Sequence, residues 1–485
     1  MSSIPSIIFR ADGDNNTGLG HMVRSAALAG MLNEQYNCIL ATRCSLEALL
    51  DELKGNFSRI VHLPEMNYLE EARHLSTIAS KKDLFILDGY NFDAAYQQAM
   101  VAQDFDFFCI DDIHAYDFYA RVIINHSGGL TPLDYHSIPS TQFFLGPRFA
   151  LLRKPFLEAA KNKRDAVSDK NCFICFGGAD PGNKTMEVLE DLNARHDVHF
   201  HHFHVVTGPA YAFQKELQAL ADNHHNITVH HALSPEAMVE VMQQCSFAIC
   251  SPSGVLYEYL TVGGIVFLEQ IADNQKDVIR YFTEEGMAFR FEDLGKINSL
   301  QIENALARSA EYFDGRSGER FNKVLGQYFD GRKLAVRKAT INDLDCCFNW
   351  VNDPEVRMQS YNQHPISMEQ HNQWFRQKLE DPSSYYYILE MDGQPVAQIR
   401  FQIQDNEAVL GYLAASAIRS KGLGTTILGK GIEQFVKDYQ QPIRITGYVK
   451  RTNLPSQRSF ERLAFYKEDT EAYMDSYKYT MIYGN

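Results

Sequence analysis

Ile7-Ile8-Phe9-Arg10-Ala11-Asp12-Gly13-Asp14-Asn15-Asn16-Thr17-Gly18-Leu19-Gly20-His21-Met22-Val23-Arg24 is the stretch around which the chain is organised. The apolar run Ile7-Ile8-Phe9 reads as a buried strand, and the pattern from Met22 to Leu32 as a helix, with a Gly-rich turn between them. Gly18 and Gly20 let backbone N–H groups approach an anion closely, and the helix N-terminus adds its dipole. The turn delivers His21 to the helix start, where an imidazole beside an anion site can serve as a base. Arg10, Asp12 and Arg24 flank the turn and join Gly18 and Gly20 as candidate substrate contacts. The competing reading is an ordinary strand-to-helix turn with a surface histidine, and a Gly-x-Gly pair alone does not separate the two.

Outward from this stretch, residues 1–150 alternate short apolar strands with helical segments. Cys38–Thr42, Leu84–Leu87, Phe107–Ile110 and Val122–Asn125 read as strands. Near-continuous apolar strands separated by helices imply a parallel sheet covered on both faces. Ligands of such sheets sit beyond the carboxyl ends of the strands. The Gly18–His21 turn, Asp88-Gly89-Tyr90 and Asp111-Asp112 all fall there, which favours the functional reading of His21.

A chain of 485 residues requires two or three domains. The net charge of -15, from 46 basic and 61 acidic side chains, argues against a nucleic-acid surface. The N-terminus lacks the features of a signal peptide and no run of about 18 apolar residues occurs, so no membrane association is expected. Nine scattered cysteines in apolar surroundings read as reduced, buried thiols of a cytoplasmic protein. Cys172-Phe173-Ile174-Cys175 has the spacing of a redox or zinc pair, but on a strand residues three apart face opposite ways.

Residues 151–328 repeat the strand–helix grammar, with strands at Cys172–Phe176, His202–Thr207, Phe247–Cys250 and Gly264–Leu268. Two open α/β halves facing one cleft fit a glycosyltransferase-B type arrangement. Ser251-Pro252-Ser253-Gly254 at a helix start is a second phosphate cradle, and Glu258, one turn in, is placed to accept both hydroxyls of a ribose. A helix cap with a solvated glutamate is the alternative. Nine histidines between His196 and His231 are read as an exposed sheet edge, and no metal site is expected.

At Lys333 the grammar changes. Residues 333–485 open on a strand at Leu334–Arg337 and a helix from Asp343 to Val351, followed by a hairpin around Asp392-Gly393. The strand Ala408–Leu413 then leads to Arg419-Ser420-Lys421-Gly422-Leu423-Gly424-Thr425 and a helix. An Arg-x-x-Gly-x-Gly turn between strand and helix presents successive amides to a pyrophosphate, with Lys421 adding charge at its rim. Asn453-Leu454-Pro455-Ser456 opens a later helix.

Two resemblances meet here. Gly18–Arg24, Asp88-Gly89-Tyr90, Asp111-Asp112, Gly177-Gly178-x-Asp180, Ser253-Gly254 with Glu258, and Asn274-Gln275 together resemble the UDP-sugar hydrolase of pseudaminic acid biosynthesis, a relative of the glycosyltransferase that makes lipid II. The resemblance implies cleavage of UDP from UDP-2,4-diacetamido-2,4,6-trideoxy-β-L-altropyranose, with inversion. His21 would activate the water, Asn274, Gln275 and Tyr90 would lie near the sugar, and Ser253, Gly254 and Glu258 would hold the uridine diphosphate. The family usually has Gly-Gly before the Ser/Thr of this last loop, where this chain has Ser251-Pro252.

Residues 333–485 resemble the GNAT N-acetyltransferases, the nearest being the group that acetylates sugars or protein N-termini. The resemblance implies acetyl-CoA as co-substrate, its pyrophosphate on Arg419, Ser420, Lys421, Gly422, Leu423, Gly424 and Thr425, and its pantetheine arm or thiol served by Asn453 and Ser456. Many members carry a tyrosine as acid to the leaving thiolate, and counting from Asn453 that place holds Phe460. Glu407 is a candidate base, with a solvated surface glutamate the preferred reading. Acetylation of UDP-4-amino-4,6-dideoxy-N-acetyl-β-L-altrosamine immediately precedes UDP removal in the implied pathway, so the expected protein is a fusion of the two activities. The rival expectation is a UDP-sugar glycosyltransferase joined to a module that acetylates another amine or only binds CoA.

Overall fold

The computed structural model describes residues 6–13, 19–162, 167, 169–195, 197–272, 275–473 and 475–484. Two of the candidate substrate contacts, Gly18 and Asn274, lie outside the described residues, as does His196.

Three sheets carry the chain. The first is parallel throughout, in the order Arg59–His62, Asn37–Thr42, Ser6–Ala11, Leu84–Asp88, Asp106–Ile110, Val122–Asn125, Gln142–Leu145. The strands Ser6–Ala11 and Leu84–Asp88 are neighbours at which the order reverses, and a crevice opens beyond their carboxyl ends. The second sheet repeats the plan with Ile227–His231, His202–Thr207, Asn171–Cys175, Phe247–Cys250, Ile265–Leu268 and Phe289–Arg290, again all parallel. Its reversal lies between Asn171–Cys175 and Phe247–Cys250, the strands that precede Gly177-Gly178 and Ser251–Gly254. Near-continuous burial along these strands follows from helices packing on both faces.

Local chemistry set several boundaries. The Cys172–Cys175 pair divides as strand alternation requires: Cys172 packs in the core on one face of the sheet and Cys175 in the core on the other. All nine cysteines are free thiols, eight of them buried. His230 and His231 lie on the edge strand, and His202 and His204 on its neighbour, with His204 Nδ1 3.2 Å from His230 Nε2. Among the described residues, no group of three or more His, Cys, Asp or Glu side chains is set to hold a metal ion, and no helix is long and apolar enough to cross a membrane.

The third sheet is mixed, in the order Leu334–Lys338, Ser384–Met391, Gln394–Gln404, Glu407–Ala414, Ile443–Lys450, Ser476–Tyr483, Tyr466–Asp469. The hairpin at Asp392-Gly393 has positive φ at both residues, 52° and 76°, as a tight two-residue turn demands. Glu407–Ala414 and Ile443–Lys450 are the only parallel neighbours, and they pair only from Glu407↔Arg444 to Leu410↔Gly447. Beyond Leu410 the two strands part, and a cavity opens between them.

The helix Ser317–Arg332 joins the first and third sheets. Phe321, Val324 and Leu325 are buried in the core of the first sheet, and Tyr328 donates to Asp106 at 2.8 Å. Its other side meets the helix Gly424–Tyr439, where a Cβ on Gly331 would come within 2.7 Å of Thr426. An ion pair of Arg121 with Glu433, and Arg462 stacked 5.6 Å from the centroid of Phe144, complete the junction.

Candidate functional sites

At the first crevice the helix begins at Gly20, not at Met22, which puts His21 in its first turn. Among the described residues no side chain caps this end, which leaves the first-turn amides open to an anion. His21 is only 8% exposed, and its Nδ1 lies 2.8 Å from Asp88 Oδ1. Asp88 is fully buried at the carboxyl end of its strand. It also accepts from Arg24 Nε at 2.8 and 2.9 Å and from Ser25 Oγ at 3.1 Å. Burial pushes this carboxyl up, but the Arg24 charge and the bonds from His21 and Arg24 outweigh it and hold Asp88 below the usual carboxylate range.

An ionised carboxylate only accepts, so His21 Nδ1 carries a proton, and in the neutral imidazole the lone pair then falls on Nε2. Arg24 Nη2 also lies 3.0 Å from His21 Nδ1. Both groups are donors, so this approach follows from their sharing Asp88 Oδ1. The Tyr90 ring stands edge-on to His21 at 4.7 Å between centroids, with its hydroxyl 3.4 Å from Asp112 Oδ2. Arg24 donates to the same Asp112 oxygen at 2.7 Å. His21, Arg24 and Tyr90 therefore form one group, organised by Asp88, whose motif was noticed in the sequence without a role being given to it.

Arg10 and Asp12 differ from the expectation of substrate contacts. Arg10 is 0% exposed and donates to Glu71 at 2.7 and 2.9 Å and to Asp12 at 2.6 Å. Asp12 also accepts the amide of Arg43 at 2.7 Å. With its donors committed inside the domain, Arg10 positions the strand end beneath the loop. A buried pair of this kind costs about 3–5 kcal/mol to break from one side.

The second half faces the crevice with the helix Gly254–Val262. Ser253 sits at its N-cap without capping it, 2.9 Å from Ser251 Oγ, and a Cβ on Gly254 would meet nothing within 4 Å. Amides and open space over Gly254 suit a phosphate. Glu258 is not a solvated glutamate: its Oε1 takes Arg153 Nη2 at 2.7 Å and Nε at 3.1 Å. Burial raises the Glu258 carboxyl above its usual range, with Arg153 offsetting part of the effect. Gln275 turns its Oε1 to the amides of Ile271 and Ala272, at 2.9 and 3.2 Å, and shapes the loop.

His126 was missed by the sequence reading. The only signal was its place directly after the strand Val122–Asn125, at a carboxyl end like the others. Its ring lies tilted against Tyr257 of the second half at 4.7 Å between centroids, and its Nδ1 is buried without a partner among the described residues. Burial, with help from the Arg24 charge, lowers its pKa from 6.5 to about 4, against the opposing pull of Asp112 and Asp88.

The third-sheet cavity holds about 1170 Å³. Ser420, Gly422, Leu423, Gly424 and Thr425 line it, as do Asn453 and Ser456. Ser420 and Gly422 have positive φ, 62° and 76°, which turns the loop amides inward. Arg419 lines the cavity: it donates to the Ala414 carbonyl and to Asp353 and Glu355, each at 2.9 Å, while its Nη2 is buried with no hydrogen-bond partner among the described residues. Lys421 is exposed, between Ser420 and Gly422 of the lining. Asn453 Oδ1 caps its helix through Ser456 N at 3.2 Å. Glu407 stands at the far end of its strand, 2.5 Å from Thr446 Oγ1 and 3.5 Å from Lys478 Nζ, in keeping with the surface reading.

Phe460 is buried against Tyr479 and Phe465. A phenol nevertheless reaches the same region from the facing strand: Tyr412 lines the cavity and donates to Ser456 Oγ at 3.2 Å. His371, Trp374 and Arg400 also form part of the wall, with Arg400 over the Trp374 ring at 4.8 Å. Seven Lys and Arg line the cavity against one carboxylate, Glu355. Of these cations only Arg419 has a carboxylate partner among the described residues.

Residues 333–466 match the family model described as "Acetyltransferase (GNAT) domain". The chain is 23% identical over 292 residues to the UDP-2,4-diacetamido-2,4,6-trideoxy-β-L-altropyranose hydrolase of Campylobacter jejuni, covering 58% of this chain and 97% of that protein. It is 24% identical over 386 residues to the uncharacterised protein MJ1062 of Methanocaldococcus jannaschii, covering 75% and 76% of the two. The spore coat polysaccharide biosynthesis protein SpsG of Bacillus subtilis is 23% identical over 288 residues, covering 59% of this chain and 82% of that protein. Among solved structures, spermidine N-acetyltransferase from Vibrio cholerae with CoA and spermine aligns at a TM-score of 0.29 and 15% identity, over 31% of this chain and 96% of that one.

The state of His126 has a measurable consequence. A histidine whose folded pKa lies below its unfolded value stabilises the fold fully above about pH 6.5 and progressively less as pH falls toward 4. Thermal unfolding followed from pH 7.5 to 4.5 should show a shallower acid-side decline for His126→Gln than for the wild type. Parallel curves would mean that His126 is not held neutral in the fold.

Proposed function

We propose, from a chain that joins a UDP-sugar hydrolase-like region to a GNAT acetyltransferase domain, that this enzyme carries out two consecutive steps on one nucleotide sugar. Its three units are residues 1–150, 151–328 and 333–485. The last acetylates the 4-amino group of UDP-4-amino-4,6-dideoxy-N-acetyl-β-L-altrosamine with acetyl-CoA as co-substrate. The first two release UDP from the resulting UDP-2,4-diacetamido-2,4,6-trideoxy-β-L-altropyranose. The single observation that carries the hydrolytic reading is the His21–Asp88 pair at 2.8 Å.

In hydrolysis, His21 Nε2 takes a proton from water as its oxygen attacks the anomeric carbon and the bond to the UDP oxygen breaks, inverting that centre. Asp88 fixes the tautomer and stabilises the imidazolium that forms, as a buried carboxylate does for a base histidine elsewhere. The leaving diphosphate carries its charge to the amides at Gly254, and Arg24 and Tyr90 bound the sugar side.

In acetyl transfer, the amine nitrogen attacks the thioester carbonyl and gives up a proton to water, the C–S bond breaks, and sulfur takes a proton from an acid that water then reprotonates. Tyr412 supplies that proton in place of the tyrosine absent at position 460. Burial pushes its phenol up, so it stays protonated until the thiolate leaves. The cation-rich wall supports an acceptor that carries phosphate, because a polycationic amine would be repelled by unpaired Arg357 and Arg400.

With preacetylated UDP-sugar as substrate, His21→Ala should lower kcat for UDP release by about 10³-fold and Asp88→Asn by about 10²-fold or more, while acetylation continues. Near wild-type release by His21→Ala would remove His21 as the base. Tyr412→Phe should lower kcat for acetyl transfer by about 10–100-fold and leave the Kd for CoA within twofold of wild type. An unchanged kcat would show that water or another group protonates the thiolate.

A further inference from the structure

The acetyl donor's cavity is not built by the acetyltransferase domain alone. Lys323 and Gln327, from the helix Ser317–Arg332, line it together with residues of that domain. This helix precedes the third sheet in the chain and buries Phe321, Val324 and Leu325 in the core of the first sheet. Its cavity-side residues belong, by packing, to the UDP-sugar hydrolase-like part.

The contact is close at the centre of the phosphate loop. A Cβ on Gly422 would fall 1.8 Å from Gln327 Nε2, so the glutamine amide lies directly on the backbone whose positive φ turns its neighbours' amides inward. Lys323 stands four residues earlier on the same helix, one turn of about 5.4 Å along and on the same face. It is exposed and makes no ion pair with any described carboxylate. Arg458 and Arg462, of the helix Leu454–Glu461 and its C-cap, line the same cavity. Neither has a carboxylate partner among the described residues, and Arg462 is held in place by the Phe144 ring of the first sheet.

Lys323, Arg458 and Arg462, without carboxylate partners among the described residues, line one cavity together with the Gln327 amide in a chain of net charge -15. Unpaired cations lining one cavity need anions to compensate them, which suits a ligand that carries phosphate groups.

We infer that the phosphate-bearing end of the acetyl donor is held in a composite site, with Lys323 and Gln327 of the hydrolase-like part completing the loop 419–425 and Arg458 and Arg462 of the acetyltransferase domain. This rests on the reading that the cavity takes CoA. The pantetheine arm, which carries no charge, lies within the acetyltransferase domain and is untouched by the joint. Donor affinity is then a property of the joined chain.

Calorimetric titration of the full chain with CoA and with pantetheine tests this, using wild type, Lys323→Glu, Lys323→Met and Gln327→Glu. Lys323→Glu should weaken CoA by about 10-fold at low salt and by less at 0.5 M salt, where screening shortens to a few ångströms. Lys323→Met should weaken it several-fold, and Gln327→Glu at least as much as Lys323→Glu. Pantetheine should bind all four proteins alike, and their thermal midpoints should agree, since Lys323 is exposed. CoA binding within twofold of wild type for both Lys323 variants would overturn the composite site while leaving CoA as the ligand. Equal weakening of CoA and pantetheine would also overturn it, by pointing to a general disturbance of the cavity. Failure of the wild type to bind CoA would remove the underlying reading and the composite site with it.

Discussion

A carboxylate buried at the end of a parallel strand is the constraint on which the first site depends. Asp88 gives up its hydration entirely, and such a group is tolerated only if its lone pairs are filled. Arg24, His21 and Ser25 fill them, all from one helix. The electrostatic need of Asp88 thereby fixes the rotation of the helix that starts at Gly20 and the tautomer of its histidine. A second buried network, Arg10 with Glu71 and Asp12, holds the neighbouring strand end from beneath. Solvation energy, spent twice in a few residues, fixes the side chains on either side of the Gly-rich stretch.

The second site depends on a backbone event. Two parallel strands of the third sheet separate after Leu410 and Gly447, which frees backbone groups and opens room for an extended ligand between them. The loop 419–425 and the helix that follows lie at the mouth of this split. The helix Ser317–Arg332 closes the mouth from outside while its apolar face belongs to another core. The fold therefore ties the donor cavity to the hydrolase-like part through side chains and through packing at once.

Much of this was legible in sequence because it is written in local pattern. Continuous apolar strands announced the two parallel sheets, and the change in grammar at Lys333 announced the third. What escaped was whatever depends on long-range pairing. The roles of Asp88, Glu71 and His126 arise from residues tens of positions away, and a single acidic or histidine letter carries no sign of its partner. Arg10 beside the loop looked like a substrate contact, and only its burial shows that it serves the scaffold. Lys421 in the motif looked like the cation of the phosphate rim, yet Lys323, Arg458 and Arg462, which line the cavity alongside the motif's own Arg419, lie outside the motif. Tyr412 could not be seen as a replacement for the tyrosine missing at 460, because strand and helix meet only in the folded domain.

The central claim is that one chain acetylates a nucleotide sugar and then releases its UDP. The most direct measurement incubates the full chain with UDP-4-amino-4,6-dideoxy-N-acetyl-β-L-altrosamine, with and without acetyl-CoA, and follows sugar, UDP and CoA by NMR. The account predicts free 2,4-diacetamido sugar and UDP only when acetyl-CoA is present, with one CoA released per sugar. UDP released equally fast without acetyl-CoA, or no turnover of this sugar in either tube, would contradict it.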